Sequence, residues 1–478
     1  MTFEMPDFLL ALPEIWVLSM ACLVLVVDLF ARGRESALAF HLVQFTLLAA
    51  AWLSIETQWG VTATTFSGTY VADKFACLLK VAICLLTFLV FAYSRDYLRK
   101  RDLLSGDFFL LGLLGVLGMM IMASAHSLLT VYLGLELVEL CLFAMVAYDR
   151  ENRVGSEAAM KYFVLAALSS GMLLYGMSMV YGAAQSLDLA QIAAIAANGE
   201  SGLLLAFGLT FILVGVAFKF GAVPFHMWIP DVYQGALTPV TVYVGTAPKI
   251  AAVALFVRLL VDGLGALHDQ WQVMATIIAV GSLAVGNLFA LVQTNIKRML
   301  GYSTIAHVGF LFLGFIAGTE EGYSAALFYA ITYGLMAAGA FGVVILLSRR
   351  GFEADLIEDM KGLNDRHSGF AVVMLILMFS LTGVPGTVGF YAKWLVLKAV
   401  IDVNMVWLAV VAVIFAVIGA FYYLRVVRMV YFDRRSDGEP LEASTGLRIV
   451  LAGNGLAVLV LGIFPDSLIM ACKVALAG

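Results

Sequence analysis

The stretch "AFKFGAVPFHMW", residues 217–228, places a lysine, a glycine, a proline and a histidine inside a long apolar segment. The preceding fifteen or so residues carry no charge. Proline at position 224 lacks a backbone N–H and clashes with the preceding turn, so it interrupts a helix. In a bilayer, backbone groups freed in this way persist only against protein or water. The stretch therefore predicts a broken membrane helix with Lys219 beside a hydrated gap.

The composition is that of a membrane protein. The chain has 478 residues, of which 63% are hydrophobic and 13% are charged, whereas soluble domains carry about 25% charged residues. Apolar runs long enough to cross a bilayer recur along the whole chain. We predict an all-α membrane protein with about fourteen transmembrane helices. The predicted spans are 8–30, 37–55, 75–94, 107–124, 127–148, 158–182, 202–232, 238–260, 271–294, 302–317, 322–348, 370–402, 406–431 and 446–471.

The distribution of Lys and Arg predicts the orientation, because positively charged loops stay in the cytoplasm. The loops after spans 1, 3, 5, 9, 11 and 13 are basic, whereas loops such as "SAHS" and "GTEEG" contain neither residue. Both termini are therefore predicted to be periplasmic. The basic residues are Arg32, Arg34, Arg95, Arg99, Lys100, Arg101, Arg150, Arg153, Lys297, Arg298, Arg349, Arg350, Lys361, Arg366, Arg425, Arg428, Arg434, Arg435 and Arg448.

A second broken span predicts an internal repeat. "SLTGVPGTVGFYAKW" interrupts span 12 at Pro385, five spans after the break at Pro224. An odd number of spans between equivalent elements inverts their direction, so spans 4–8 and 9–13 are predicted to be two inverted five-helix repeats. Discontinuous helices at matching places in two halves point to a transport pathway. The predicted regions are 1–106, 107–262, 271–435 and 436–478.

A few ionisable residues remain deep inside the predicted spans. A charge at the bilayer centre costs roughly 2.5–3.5 kcal/mol on insertion scales, so function is the default hypothesis. A structural ion pair joining two helices is the alternative. The candidates are Glu136, Glu139, Lys219, Lys249 and Lys393, with His226 and His307 as secondary candidates that more often serve as satisfied polar groups.

Position suggests how these groups act. Lys219 and Lys249 lie too deep for snorkelling, whereas Glu136 and Glu139 share one helix face. A carboxylate ~4 Å from a lysine, at an effective dielectric of ~20, stabilises the ammonium by about 4 kcal/mol. That energy equals roughly three pKa units, so moving the carboxylate would load or unload a proton near neutral pH.

Several chemistries have little support in this sequence. The five cysteines form no CxxC pair, and no two histidines lie three or four residues apart. Neither an iron–sulfur or zinc site nor a helix-borne metal pair is suggested. The chain also has no glycine-rich nucleotide fingerprint. We therefore expect no cofactor or metal in this chain, and no nucleic acid as a partner.

Three motifs carry a family resemblance. "FGAVPFHMWIPDVYQGALTPVTVYVGTAPKIAA", "NIKRMLGYSTIAHVGF" and "LTGVPGTVGFYAKWLVLKA" resemble the antiporter-like membrane subunits of respiratory complex I, the proton-pumping NADH:quinone oxidoreductase. The resemblance covers nearly the whole chain. The "DVYQG" and "APKIAA" signatures and the length are similar to the shorter member of that family rather than its two larger relatives.

The resemblance implies a fold, roles and partners. It implies fourteen helices with two inverted five-helix units, Glu136 paired with Lys219, Lys249 as central relay and Lys393 as the lysine of the second half-channel. Glu139 departs from the family pattern, in which a small or neutral residue is usual. The expected partners are other membrane and peripheral subunits, which would hold NADH, FMN, iron–sulfur clusters and quinone. The expected location is the bacterial inner membrane.

Three other functions fit parts of the sequence. A multisubunit sodium/proton antiporter shares these motifs, and complementation of an antiporter-deficient strain would separate it. A membrane protein binding haem or quinone would need paired histidines, and an absorbance spectrum would reveal the haem. A structural spacer with an inactive pathway is the third alternative, because residues indicate a path but not a flux.

Overall fold

The computed structural model describes residues 5–30, 37–198, 202–433 and 443–477. Four arginines used to predict the orientation lie outside these residues, namely Arg32, Arg34, Arg434 and Arg435. The predicted region boundary at 435/436 also lies outside them.

A short antiparallel ribbon, β1 Ala63–Thr65 and β2 Tyr70–Ala72, pairs Ala63 with Ala72. The α-helices are α1 Leu12–Phe30, α2 Ala37–Gln58, α3 Lys74–Lys100, α4 Gly106–Ala123, α5 Leu128–Val146, α6 Arg153–Ala184, α7 Leu189–Ala197, α8 Gly202–Phe220, α9 Trp228–Gly235, α10 Thr238–Gly245, α11 Ala247–Phe256, α12 His268–Leu291, α13 Ile296–Ile316, α14 Glu320–Leu347, α15 Leu363–Arg366, α16 Ser368–Thr382, α17 Val388–Asp402, α18 Val406–Tyr431, α19 Thr445–Ile463 and α20 Asp466–Leu476.

The helices confirm a multi-pass all-α membrane protein. Within the described ranges, 13 helices are long and apolar enough to cross a membrane. The remaining predicted span, span 12 at 370–402, is built from α16 and α17, which are each shorter and are separated by a break. The seventh span is divided in the same way, into α8 and α9.

Three features escaped the prediction from apolar run length. Span 8 was predicted as continuous over 238–260, but Thr246, with φ −122° and ψ −92°, separates α10 from α11. The ribbon and α7 lie in segments predicted as loops. Span 14 is divided into α19 and α20 around Pro465. Run length reports apolarity and not backbone direction, and Pro248, at the start of α11, was the available signal for the interruption.

Loops contact one another at two separate places in the helical bundle. At one place, Arg101 forms an ion pair with Glu353, and the guanidinium of Arg350 lies 2.9 Å from the carboxylate of Asp102. Two loops predicted to be cytoplasmic therefore meet. Elsewhere the amide of His126 in the "SAHS" turn donates to the Thr69 carbonyl at 3.1 Å, so this turn meets the ribbon.

Small residues set the packing of the first two helices in each predicted repeat. A Cβ on Gly118 of α4 would lie 2.8 Å from the Gly134 carbonyl oxygen of α5, and a Cβ on Gly286 of α12 would lie 2.4 Å from the Ala306 nitrogen of α13. Small side chains allow membrane helices to approach this closely. The same close helix approach in both predicted repeats supports the inverted repeat. The boundaries of the four predicted regions remain a prediction.

Candidate functional site

The first broken helix ends at a glycine before its proline. Gly221 adopts φ +72°, and its N–H donates to the Phe218 carbonyl at 2.9 Å. The N–H of Ala222 donates to the Ala217 carbonyl, also at 2.9 Å. This pair of bonds is a Schellman motif, which closes a helix with a left-handed glycine. Pro224 follows in the turn before α9.

The second broken helix ends by the same motif. Gly383 adopts φ +93°, and its N–H donates to the Ser380 carbonyl at 3.0 Å. The N–H of Val384 donates to the Phe379 carbonyl at 2.9 Å. Pro385 again follows the glycine, and α17 begins at Val388. The motif leaves the last two helical carbonyls of each helix without a backbone donor.

A lysine binds those two carbonyls in each half. The Lys249 ammonium donates to the carbonyls of Phe220 at 2.8 Å and Lys219 at 3.2 Å. The Lys393 ammonium donates to the carbonyls of Thr382 at 2.8 Å and Leu381 at 3.0 Å. Lys249 comes from α11, whereas Lys393 comes from α17.

Lys219 has a different partner, the carboxylate of Glu139. The two form a buried ion pair in which the side chains are 9% and 4% exposed. The predicted pairing of Lys219 with Glu136 is therefore wrong. Three residues along a helix turn a side chain by about 60° around the axis. That rotation directs Glu139 to α8, while Glu136 stays half-buried and its buried Oε1 has no hydrogen-bond donor among the described residues.

Ser170 of α6 completes this ion pair. Its hydroxyl donates to Glu139 Oε2 at 2.7 Å, and the Lys219 ammonium lies 3.2 Å from the same hydroxyl oxygen. Nothing in the sequence distinguishes Ser170, because a serine in an apolar helix is common and only the packing of α5, α6 and α8 identifies its partners.

Lys219 and Lys249 line one small cavity. Its volume is about 30 Å³, and Glu139, Tyr162 and Trp228 also line it. A water needs roughly 10–15 Å³ of such space and several polar partners, so the cavity has room for one or two waters. The Lys249 ammonium lies 4.8 Å from the centre of the Trp228 ring, a cation–π contact.

The two candidate histidines differ in their surroundings. His307 is buried in α13, with Nδ1 2.7 Å from the Tyr329 hydroxyl and Nε2 3.0 Å from the Tyr423 hydroxyl. His226 lies in the turn after Pro224, and its buried Nδ1 has no hydrogen-bond partner in the described ranges. The structure thus joins His307 to a hydroxyl cluster and does not join His226 to Lys219 by a hydrogen bond.

Two further buried charge clusters lie outside the predicted site. The fully buried Lys80 ammonium lies 2.6 Å from the Glu14 carboxylate and 2.9 Å from both Gln58 Oε1 and the Tyr70 hydroxyl. Arg258 pairs with Asp73 at 2.8 Å and with Asp262 at 2.9 Å. Among the described residues, no three His, Cys, Asp or Glu side chains cluster in a way that could hold a metal ion.

Comparisons with known proteins identify the family. The family described as "NADH:quinone oxidoreductase/Mrp antiporter, TM" matches residues 125–419. A relative named NADH-quinone oxidoreductase subunit N from Alkalilimnicola ehrlichii is 65% identical over 99% of this chain and 97% of its own length. A relative of the same name from Halorhodospira halophila is 57% identical over the full length of both chains.

Solved structures agree with these relatives. A chain of respiratory complex I from Thermus thermophilus with bound Aureothin matches with a TM-score of 0.83 and 29% identity, over 97% of this chain and all of that one. A chain of the Mrp complex from Dietzia matches with a TM-score of 0.85 at 19% identity, over 98% and 96% of the two chains, which shows a shared fold alone. The family resemblance of the sequence motifs is confirmed. The chain belongs to the NADH:quinone oxidoreductase/Mrp antiporter family of membrane proteins, within its subunit N group.

Proposed function

We propose that the chain is a proton-translocating membrane-arm subunit of an NADH:quinone oxidoreductase. The observation that carries the proposal is the placement of buried lysines at both helix breaks. Lys219 and Lys249 meet at the first break, and Lys393 lies at the second. Charges this deep are costly in a membrane and mark ion pathways. The relatives named subunit N, similar over almost the full chain, supply the identity of the complex.

In the first half, Lys219 is the group whose protonation the carboxylate controls. With Glu139 in contact, the ammonium form is stabilised; with Glu139 withdrawn, desolvation favours release of the proton. A water in the shared cavity then passes the proton to Lys249. This assigns the role of partner carboxylate to Glu139 instead of the predicted Glu136.

In the second half, Lys393 takes the role of the lysine of the second half-channel. Its ammonium lies 4.9 Å from the centre of the Phe310 ring, one helical turn along α13 from His307. The His307 ring and the hydroxyls of Tyr329 and Tyr423 form a hydrogen-bonded group that can hand protons on. We assign His307 a secondary role in this half, and His226 stays an untested candidate.

Redox chemistry is assigned to other subunits. We propose that this chain holds no redox cofactor and that NADH, FMN, iron–sulfur clusters and quinone are bound elsewhere in the complex. Its partners are then neighbouring antiporter-like membrane subunits and, through the complex, the peripheral subunits.

Vesicles containing the purified complex test this function. NADH-driven, quinone-dependent proton uptake is expected to be lost in Lys249→Ala and Lys393→Ala at normal assembly. Lys398→Ala is the matched control, because Lys398 lies on the same helix as Lys393 but is exposed on the outside of the bundle. Full uptake in both of the first two variants would refute the proposal. Uptake that requires sodium would favour the antiporter alternative.

We further propose that the chain lies in the bacterial inner membrane with both termini in the periplasm. The meeting of Arg101 with Glu353, and of Arg350 with Asp102, supports a common side for the basic loops. A single cysteine in Arg350→Cys is expected to react with a membrane-impermeant reagent only from the cytoplasmic side. Reaction only from the periplasmic side would reverse the orientation.

A further inference from the structure

The two helix breaks present the same acceptor group to lysines that come from different places. In each break a left-handed glycine ends the helix and leaves two adjacent carbonyls, those of 219 and 220 in α8 and those of 381 and 382 in α16. Lys249 reaches the first pair from the next membrane span, whereas Lys393 reaches the second pair from the other part of the same span. The shared feature is therefore the carbonyl pair with its glycine, and not the position of the lysine.

We propose that these carbonyl pairs are two equivalent cation sites that hold the protonated lysine, with Gly221 and Gly383 as the positioning residues that build them. The proposal rests on the proton-relay roles proposed above. The proposal adds two positioning residues, Gly221 and Gly383, which have no ionisable group of their own.

The physics of a helix terminus supports this assignment. Aligned peptide dipoles place roughly half a negative charge at a helix C-terminus, which favours a nearby cation. An ammonium has three donors and no acceptor, so two carbonyls satisfy most of its hydrogen-bonding capacity. Among the described residues, neither Lys249 nor Lys393 forms an ion pair with a carboxylate within 4 Å, so the carbonyls take that place. The aromatic rings of Trp228 and Phe310 add a second attraction for the charge.

Gly383 offers the sharper test, because it touches its lysine. A Cβ at position 383 would lie 3.0 Å from Lys393 Cδ, so a side chain there requires the lysine stem to shift by a few tenths of an ångström. Gly386 is a matched control in the same break. It has φ +89°, close to the +93° of Gly383, but a Cβ there would meet nothing within 4 Å. Gly383→Ala and Gly386→Ala therefore carry similar backbone strain, and only the first disturbs the cation site.

The titratable groups around Lys393 determine how the pH profile of proton uptake is interpreted. Helices α13, α14, α16, α18 and α19 pack against α17. Helix α13 contributes His307, α14 contributes Tyr329 and Tyr333, and α18 contributes Tyr423. The ionisable residue of α19 is Arg448, which is exposed in the first turn of that helix. Helix α16 contains no titratable residue. Histidine titrates near 6.5 and tyrosine and lysine near 10 when unperturbed. The variants leave these neighbours in place, so a change confined to Gly383→Ala reports on Lys393.

The experiment measures NADH-driven proton uptake against pH in vesicles of the intact complex. In Gly383→Ala, we expect the alkaline limb to move to lower pH by up to about one unit, about tenfold in proton affinity, because the shifted ammonium forms weaker hydrogen bonds with its carbonyl acceptors. Gly386→Ala should keep the parental profile. If Gly383→Ala fails to assemble, Gly383→Asn replaces it, since asparagine tolerates a left-handed backbone and still supplies the Cβ.

Two outcomes overturn the inference. One is a parental profile in an assembled Gly383 variant, and the other is an equal shift in Gly386→Ala. Lys393→Ala, measured alongside, separates this result from the broader function. Loss of uptake in Lys393→Ala together with a parental profile in Gly383→Ala leaves the relay role intact and refutes only the cation site. Full uptake in Lys393→Ala removes the role of that lysine itself.

Discussion

The two halves of the molecule share a helix ending but differ in the charges placed beside it. Glu139 of α5 and His307 of α13 occupy the same place relative to the N-caps Ser127 and Asn295. Lys219, two residues before the first left-handed glycine, corresponds to Leu381 in the second half. A buried ion pair in the first half is thus replaced by an uncharged leucine and a histidine bound to hydroxyls.

The difference indicates that the two halves have different roles in proton transfer. The carbonyl site is common to both halves, so both can hold a protonated lysine. Among the described residues at the two helix breaks, only Lys219 of the first half forms an ion pair with a carboxylate. We infer that switching occurs at Glu139 and Lys219, whereas the second half conducts. Four substitutions test this contrast, taken in order of the expected loss of proton uptake.

Lys219→Ala should have the largest effect. It removes the switching group and leaves Glu139 buried without its cation, a change that costs about 3–5 kcal/mol in comparable buried pairs. Proton uptake should be lost, and the midpoint of thermal unfolding of the complex should fall. The double variant Lys219→Met/Glu139→Leu removes both charges and should regain stability but not uptake. Normal uptake in assembled Lys219→Ala would refute the switch.

Glu139→Gln should come next, with Glu136→Gln as its matched control on the same helix. The neutral amide cannot stabilise the Lys219 ammonium as a carboxylate does, so uptake should fall at least about tenfold. Glu136→Gln should lose less, because Glu136 has no contact with Lys219 in the structure. Uptake is compared at matched assembly. A greater loss in Glu136→Gln would return the switch to the residue that the family resemblance implied.

His307→Phe should have an intermediate effect on uptake. It removes the partner of the buried Tyr329 hydroxyl, at a cost of about 1–3 kcal/mol for an unsatisfied buried group, while the Tyr423 hydroxyl keeps its hydrogen bond with Ser303. His226→Phe is the control in the first half, because the buried Nδ1 of His226 has no partner to lose. Thermal unfolding and uptake are measured for both. Equal losses would show that the hydroxyl cluster has no special part in the second half.

Ser170→Ala should have the smallest effect. It removes the hydroxyl that orients Glu139, and a typical hydrogen bond contributes about 1 kcal/mol. That energy limits the loss of uptake to about fivefold. Ser169→Ala is the adjacent control, since Ser169 is buried and its hydroxyl has no hydrogen-bond partner in the described part. A similar loss in both variants would mean that Ser170 acts only through packing.

The sequence predicted the parts of this architecture that depend on composition and local chemistry. Apolar run length gives the spans, and the glycine followed by proline in "FGAVP" and "TGVP" gives the two breaks. The depth of Lys219, Lys249 and Lys393 identifies them as unusual. Each of these signals can be recognised within a single short segment of the sequence.

The remainder depends on how helices rotate against one another. Glu136 and Glu139 differ by about 60° around one axis, and only the packing of α5 against α8 decides which one meets Lys219. The carbonyl partners of Lys249 and Lys393 belong to the backbone, which carries no residue-specific signal. The interruption at Thr246 was hidden because an apolar run looks the same whether or not its helix is continuous.

The buried pair of Lys80 and Glu14 has a consequence for how the chain is made. Glu14 lies on α1 and Lys80 lies on α3, which is synthesised later, yet the two charges pair with each other. An unpaired charge within a membrane helix is costly, so releasing either helix alone into lipid is unfavourable. Membrane insertion is therefore most favourable if α1 is retained at the insertion machinery until α3 has been synthesised. A gene split between these two helices, with its products made separately, would lose that arrangement.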